Sequence, residues 1–185
     1  AILAALRFHA GLTAQTVLIA LVVAVPLAVL AYWVRPLTGP ILALSGVLYT
    51  IPSLALLAFI APLVGATSDT SVLIALVLYA LLVLVRNALA GLTQVPAEVR
   101  DFGQMAGCSR RQMMWRVLIP SARQGLMVGV NQVIMLSLNM VIIASMIGAG
   151  GLGREVLAAL RRLDFGAGLE AALAITLLAI ALDRL

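Results

Sequence analysis

Five stretches of this chain read as long, apolar runs fit to enter a lipid bilayer, and that restricts its fold more than any motif does. They cover about 12–33, 41–63, 72–90, 122–147 and 169 to the end. Hydrocarbon offers the backbone no hydrogen-bond partner. A span must therefore satisfy its own N–H and C=O groups as a helix, which takes about 20 apolar residues. The fold expected is all-α, a polytopic membrane helix bundle of about five transmembrane helices forming a single domain over 1–185. At 64% hydrophobic and 10% charged residues, a soluble domain is excluded.

The first span, Leu12 to Trp33, closes with Tyr32 and Trp33, which suit an interfacial belt. Pro26 predicts a kink within it. Arg35 to Pro40 reads as a tight turn. The second span, Ile41 to Leu63, carries Pro52, which frees a carbonyl that must find another partner inside the bundle. Gly65 to Ser71, with Asp69, reads as a short polar turn. The third span, Val72 to Ala90, has Arg86 near its far end, where arginine can snorkel to the interface. The fifth starts near Leu169 and is cut short. His9, the only histidine, reads as exposed near an end. The chain begins without methionine and stops straight after an apolar run, so it reads as trimmed. Its first apolar segment is too long for a cleavable signal peptide.

Between the third and fourth spans lies a polar island, Pro96 to Pro120. Pro96 suits a first helical position, and Glu98 and Asp101 lie where acids favour the helix dipole. Val99, Phe102 and Ala106 form one apolar stripe. Gly107 supplies the residue that most easily adopts a left-handed stop. Ser109 and Gln112 have capping-box spacing, and Met113, Met114 and Val117 continue an apolar face until Pro120 interrupts the ladder. The reading is helix, glycine corner, helix: a loop that touches a soluble partner.

The net charge of +5 contains no lysine. Basic charge on a polytopic membrane chain reflects topology, so no nucleic-acid partner is expected. With the polar island inside the cell, the N-terminus lies outside. Arg35, Arg86, Arg100, Arg110, Arg111, Arg116, Arg123 and Arg184 are then inside, and Arg7, Arg154, Arg161 and Arg162 outside. Cys108 alone excludes an internal disulfide and a cysteine metal cluster. No nucleophile–base pair appears, so neither catalytic residue, metal nor cofactor is expected.

Gly148 to Gly153 matches G-x-G-x-x-G but lacks the strand and βαβ context of a dinucleotide site. The external region 148–168 reads instead as a glycine-rich break, a short amphipathic helix from Glu155 to Leu163, and a turn back at Asp164 to Gly168. The fourth span, Ala122 to Ile147, opens with Gly125 and Gly129, a spacing that lets helix backbones approach closely. Asn131, Gln132, Asn139 and Ser145 share an arc of about 140° at the helical period, with Met135 and Ile142 inside it. Ser137 lies outside that arc and is expected to bond its own i−4 carbonyl. These amides either glue helices together or line a passage, and both readings stand. The absence of charge from every span centre argues against a proton-coupled carrier.

The island resembles the "EAA" coupling loop of ABC-importer permeases. Asp101, Phe102 and Gly103 stand where E-A-A is expected, and Gly107, Val117, Ile119 and Pro120 fill the remaining positions. Asn131 to Gly153 resembles the permeases of glycine betaine/proline betaine importers, as do Arg162 to Gly166 and Ala179 to Arg184. Tyr49 to Leu57 is similar to the osmoprotectant permeases. The resemblance implies a type I ABC importer permease in a prokaryotic inner (plasma) membrane, carrying compatible solutes such as glycine betaine, carnitine or choline. It implies a second copy forming a homodimer and an external substrate-binding protein or domain. It also implies a separate ATPase subunit docked on 96–120, where Arg110 and Arg111 add to the coupling set. In such systems the binding protein sets affinity, often with an aromatic cage. Four Phe, three Tyr and two Trp in this chain fit a low-affinity conduit. The rivals are the same architecture carrying methionine or another amino acid, and a membrane scaffold without transport.

Overall fold

The computed structural model describes residues 2–64, 69–146 and 150–184. Helix α1 spans Ile2–Trp33 and runs on through Pro26. One residue, Val34, separates it from α2 (Arg35–Thr50). The tight turn expected at Arg35 to Pro40 is therefore helical. Pro36 falls in the first turn of α2, where proline's missing donor is not required, and Pro40 is carried inside the helix.

The expected second span is not one rod. It breaks at Ile51 and Pro52, and α3 (Ser53–Val64) leaves α2 at 95°. Ile51 is extended, as a residue before proline must tend to be. The Pro52 carbonyl is then free to accept from Leu56 N–H at 2.9 Å. Tyr49, just before the break, rests on Tyr79 with ring centroids 5.6 Å apart.

Helix α4 (Asp69–Thr93) is the central post, packed against α1, α2, α3 and α8 (Arg123–Met146). Of the polar turn expected at Gly65 to Ser71, 65–68 lie outside the described residues, and Asp69 to Ser71 open α4. Small residues let α1 lie close. Ala20, Ala24 and Ala28 are fully buried and share core clusters with Ala80, Leu84 and Ala88. Between lipid-soluble helices such packing, rather than hydrophobic exclusion, supplies the attraction. Helix α9 (Leu152–Arg162) follows Gly151, whose φ of 111° few other residues adopt. It is the short amphipathic helix the sequence predicts. Of the glycine run before it, 147–149 lie outside the described residues. Asp164 then caps α10 (Phe165–Asp183) by accepting from Ala167 N–H at 3.1 Å, so the expected turn at Asp164 to Gly168 is mostly helix. Four helices (α1, α4, α8 and α10) are long and apolar enough to cross a membrane, or five spans if the bent pair counts as one.

Two polar side chains differ from expectation. His9 is fully buried rather than exposed, beside the Leu138 main chain but without a well-formed hydrogen bond at either ring nitrogen. Its burial follows from α8 lying across the start of α1. Ser137 is likewise buried and does not bond back to its i−4 carbonyl.

Candidate functional site

The helix, glycine corner and restarted helix of the polar island fold as the sequence predicts, and local hydrogen bonds hold the corner. Helix α5 (Ala97–Met105) is followed by Gly107 at φ 73°, with Pro96 standing just before its first residue. Gly107 N–H donates to the Gln104 carbonyl at 2.9 Å, and Cys108 N–H to the Gly103 carbonyl at 3.1 Å. This pair of bonds is the Schellman closure of a helix end. No atom lies within 4 Å of where a Gly107 Cβ would stand, so the constraint there is the dihedral alone.

Ser109 restarts the helix at once. Its Oγ accepts from Gln112 N–H at 3.3 Å, and its own N–H donates to Gln112 Oε1 at 2.9 Å. After α6 (Arg110–Gln112) comes a π segment, Met113–Leu118, and then α7 (Ile119–Ser121). Contrary to expectation, the chain stays helical through Pro120. In the wide turns Ile119 N–H reaches back to the Met114 carbonyl, so the ladder has already changed register where proline offers no donor.

Packing fixes one side of this segment. Met114 and Leu118 are buried in the cluster that holds Ala28, Ala88, Leu92 and Val95. Gly103 is where α5 meets the π segment: a Cβ there would stand 2.7 Å from Met113 Cε and 3.4 Å from Val117 Cγ2. The other side is bare. Phe102 is 70% exposed, Met105 79% and Trp115 58%. Asp101, Arg110 and Arg111 are exposed beside them, and Val117 and Ile119 are half-buried. Met105 and Trp115 escape a reading that looks for a family pattern. Their signal is an apolar side chain with no buried position to fill.

Helix α8 begins one residue beyond α7. Gly125 and Gly129 bring it onto α4: a Cβ on Gly125 would lie 3.0 Å from Gly91 Cα, and one on Gly129 2.8 Å from Asn87 Cβ. Asn87 Nδ2 donates to Gln132 Oε1 at 3.0 Å. The arc proposed from the helical wheel divides. Gln132 and Asn139 are exposed, with Asn131 and Met135 half-buried at their margin. Ser145 is buried and bonds the Val141 and Gly150 carbonyls at 2.7 and 2.9 Å. It fastens the end of α8 to the glycine break instead of joining the open face. Gln132 is tied to α4, whereas Asn139 has no hydrogen-bond partner among the described residues.

Residues 8–185 match the family described as binding-protein-dependent transport system inner membrane component. Over 139 residues the chain is 42% identical to the trimethylamine N-oxide transport system permease protein TmoV of Pelagibacter ubique, covering 75% of this chain and 19% of that protein. Over 152 residues it is 40% identical to the glycine betaine/proline betaine transport system permease protein ProW of Salmonella typhimurium, covering 82% of this chain and 41% of that one. The chain thus spans less than half the length of either relative. A solved structure of the MetNI methionine ABC transporter, in an inward-facing conformation, superposes with a TM-score of 0.86 at 18% identity. That match covers 99% of this chain and 91% of the other, and at that identity it speaks for the fold alone.

Proposed function

The chain belongs to the family of binding-protein-dependent transport system inner membrane components, and from that premise we propose that it is the pore-forming permease of an ATP-driven importer for compatible solutes. The solutes are glycine betaine, carnitine, choline or similar methylated amines. Two copies pair around the passage, with the N-terminus outside and 96–120 in the cytoplasm. A separate ATPase docks on that segment, and an external binding protein delivers solute.

The observation that carries this reading is the continuity of the chain from the capped corner at Gly107, through the π segment, into α8. The segment bearing Phe102 and Trp115 and the helix bearing Gln132 and Asn139 are joined by helix with no flexible loop between. Force applied at the first surface is transmitted to the second. The open face of α8 offers neutral amides and no ion. Glycine betaine, proline betaine and trimethylamine N-oxide, the solutes in the relatives' names, combine a quaternary nitrogen with a balancing negative charge. Dipoles solvate such a molecule weakly on all sides, which permits release; a fixed charge would hold one end of it.

The test is reconstitution of the intact transporter in liposomes with its ATPase and binding protein, followed by a screen of solutes for stimulated ATP hydrolysis. Stimulation by methylated zwitterions and not by methionine is the expected result. The reverse pattern sinks the solute assignment, and no stimulation by any solute favours a non-transporting scaffold. Orientation has its own test: with Cys108 replaced and a cysteine placed at Ser68, labelling from outside only is expected.

A further inference from the structure

We propose that the recess at the Trp33 end of α1 is a binding site for the anionic headgroup of a phospholipid. The inference rests on α1 spanning a membrane and is independent of which solute crosses.

Two adjoining hollows of about 370 and 350 Å³ share Tyr32 and Arg100 in their walls. The first adds Arg35, Thr38 and Thr93; the second adds Trp33, Gln104 and Arg110. Arg35, Arg100 and Arg110 thus stand in the walls of two hollows that share Tyr32 and Arg100, and among the described residues no carboxylate pairs with any of the three. Arg35 also opens α2, whose first turn holds no acidic residue. A cation there faces the positive end of the helix dipole. A bound anion offsets both like-charge arrangements together. The threonines are not the donors for it, because Thr38 Oγ1 already donates to the Ala31 carbonyl at 2.9 Å and Thr93 Oγ1 to those of Leu89 and Ala90. Recognition falls to the arginines, whose forked donors suit phosphate oxygens.

The depth of the hollow selects the source of that phosphate. Tyr32 and Trp33 end an apolar membrane-length helix, and such aromatics sit at headgroup level. Basic recesses between membrane helices at that level take acidic headgroups. The aromatic walls give the glycerol and upper acyl region an apolar surface, which free phosphate does not need.

The experiment places the intact transporter in nanodiscs of phosphatidylcholine containing some phosphatidylglycerol, then counts retained lipids by native mass spectrometry. Wild type should retain phosphatidylglycerol in preference. Arg35→Gln and Arg100→Gln should each lower that retention by roughly fivefold, the effect of one basic side chain at an anionic surface. Arg161→Gln, on α9, should leave it unchanged. The Arg35→Lys, Arg100→Lys pair keeps the charge and should keep most of the lipid, so a fold failure in the glutamine variants does not hide the answer. Equal retention of both lipids by wild type overturns the proposal. So does unchanged retention in the glutamine variants, with or without loss of ATPase association. If millimolar inorganic phosphate displaces the retained lipid, the hollow is a free-phosphate site and the lipid assignment fails.

Discussion

The 97–121 segment and the open face of α8 present opposite chemistries, each the reverse of what its own surroundings favour. In the proposed orientation the segment meets water, yet it ties some of its polar groups internally, in the Gly107 closure and the Ser109–Gln112 box, and leaves Phe102, Met105 and Trp115 bare. Helix α8 is an apolar, membrane-length span, yet beside the exposed Met127 and Val128 it leaves Gln132 and Asn139 bare. Exposed apolar surface in water and exposed amides in hydrocarbon are both unfavourable. Each surface is therefore unfinished in the single chain, and each calls for a different partner: an apolar cleft for the first, a polar pathway or a second copy for the second.

The largest effect should come from reversing the chemistry of the first surface. Trp115→Asp replaces a bare aromatic with a charge and, if this surface is the centre of an ATPase contact, should weaken ATPase binding by about 2 kcal/mol or more, roughly thirtyfold. Binding of the purified ATPase to the detergent-solubilised permease measures it, and unchanged affinity would remove Trp115 from the docking surface. Next comes the reversal of the second. Asn139→Leu should lower solute uptake by about tenfold, on the order of the 1–2 kcal/mol of a membrane-embedded polar contact, while ATPase binding stays intact. Uptake and dimer fraction must be read on one preparation. Lower uptake with an intact dimer marks a passage residue, a lost dimer marks helix glue, and no change in either refutes both.

Smaller changes probe how rigidly the two surfaces are joined. Gly107→Val forces a β-branched side chain into a left-handed corner at a cost of about 1–2 kcal/mol. Transport should fall while insertion is kept, because nothing surrounds the added atoms and only the backbone is strained. Wild-type transport at equal abundance would separate the corner from the coupling. Ser109→Ala removes one half of the capping box and should cost about 1 kcal/mol. Faster amide exchange over 110–114 with little loss of transport is the expected reading.

What the sequence made legible was local. Gly107 and the Ser109–Gln112 box could be placed because their hydrogen bonds close within four or five residues. The break at Ile51 and Pro52 was not legible as a right-angled bend, since a proline permits a kink or a corner and the choice lies with α4, against which Tyr49 rests. His9 was misread for the same reason, its burial being decided by a helix more than a hundred positions away. In the candidate site, angular position alone put Ser145 with the amides, and the Gly150 carbonyl that claims it comes from the next element. Met105 and Trp115 were passed over because an apolar residue on an amphipathic helix reads as core unless one knows which side stays uncovered.

The π segment fixes an azimuth. Met114 and Gln132 are 18 positions apart, about five whole turns of a regular α-helix, so an unbroken helix would set them in one line. One is fully buried and the other lies open. The wide turns at Met113–Leu118 take up roughly one residue more than α-turns do and so rotate the downstream helix by about 100°. The direction in which the amides of α8 look thus depends on a residue count as well as on the contacts of Gly125, Gly129 and Gln132 with α4. One residue inserted between Ala122 and Asn131 would swing Gln132 and Asn139 away from the open face while leaving the docking surface, and every side chain on it, as before.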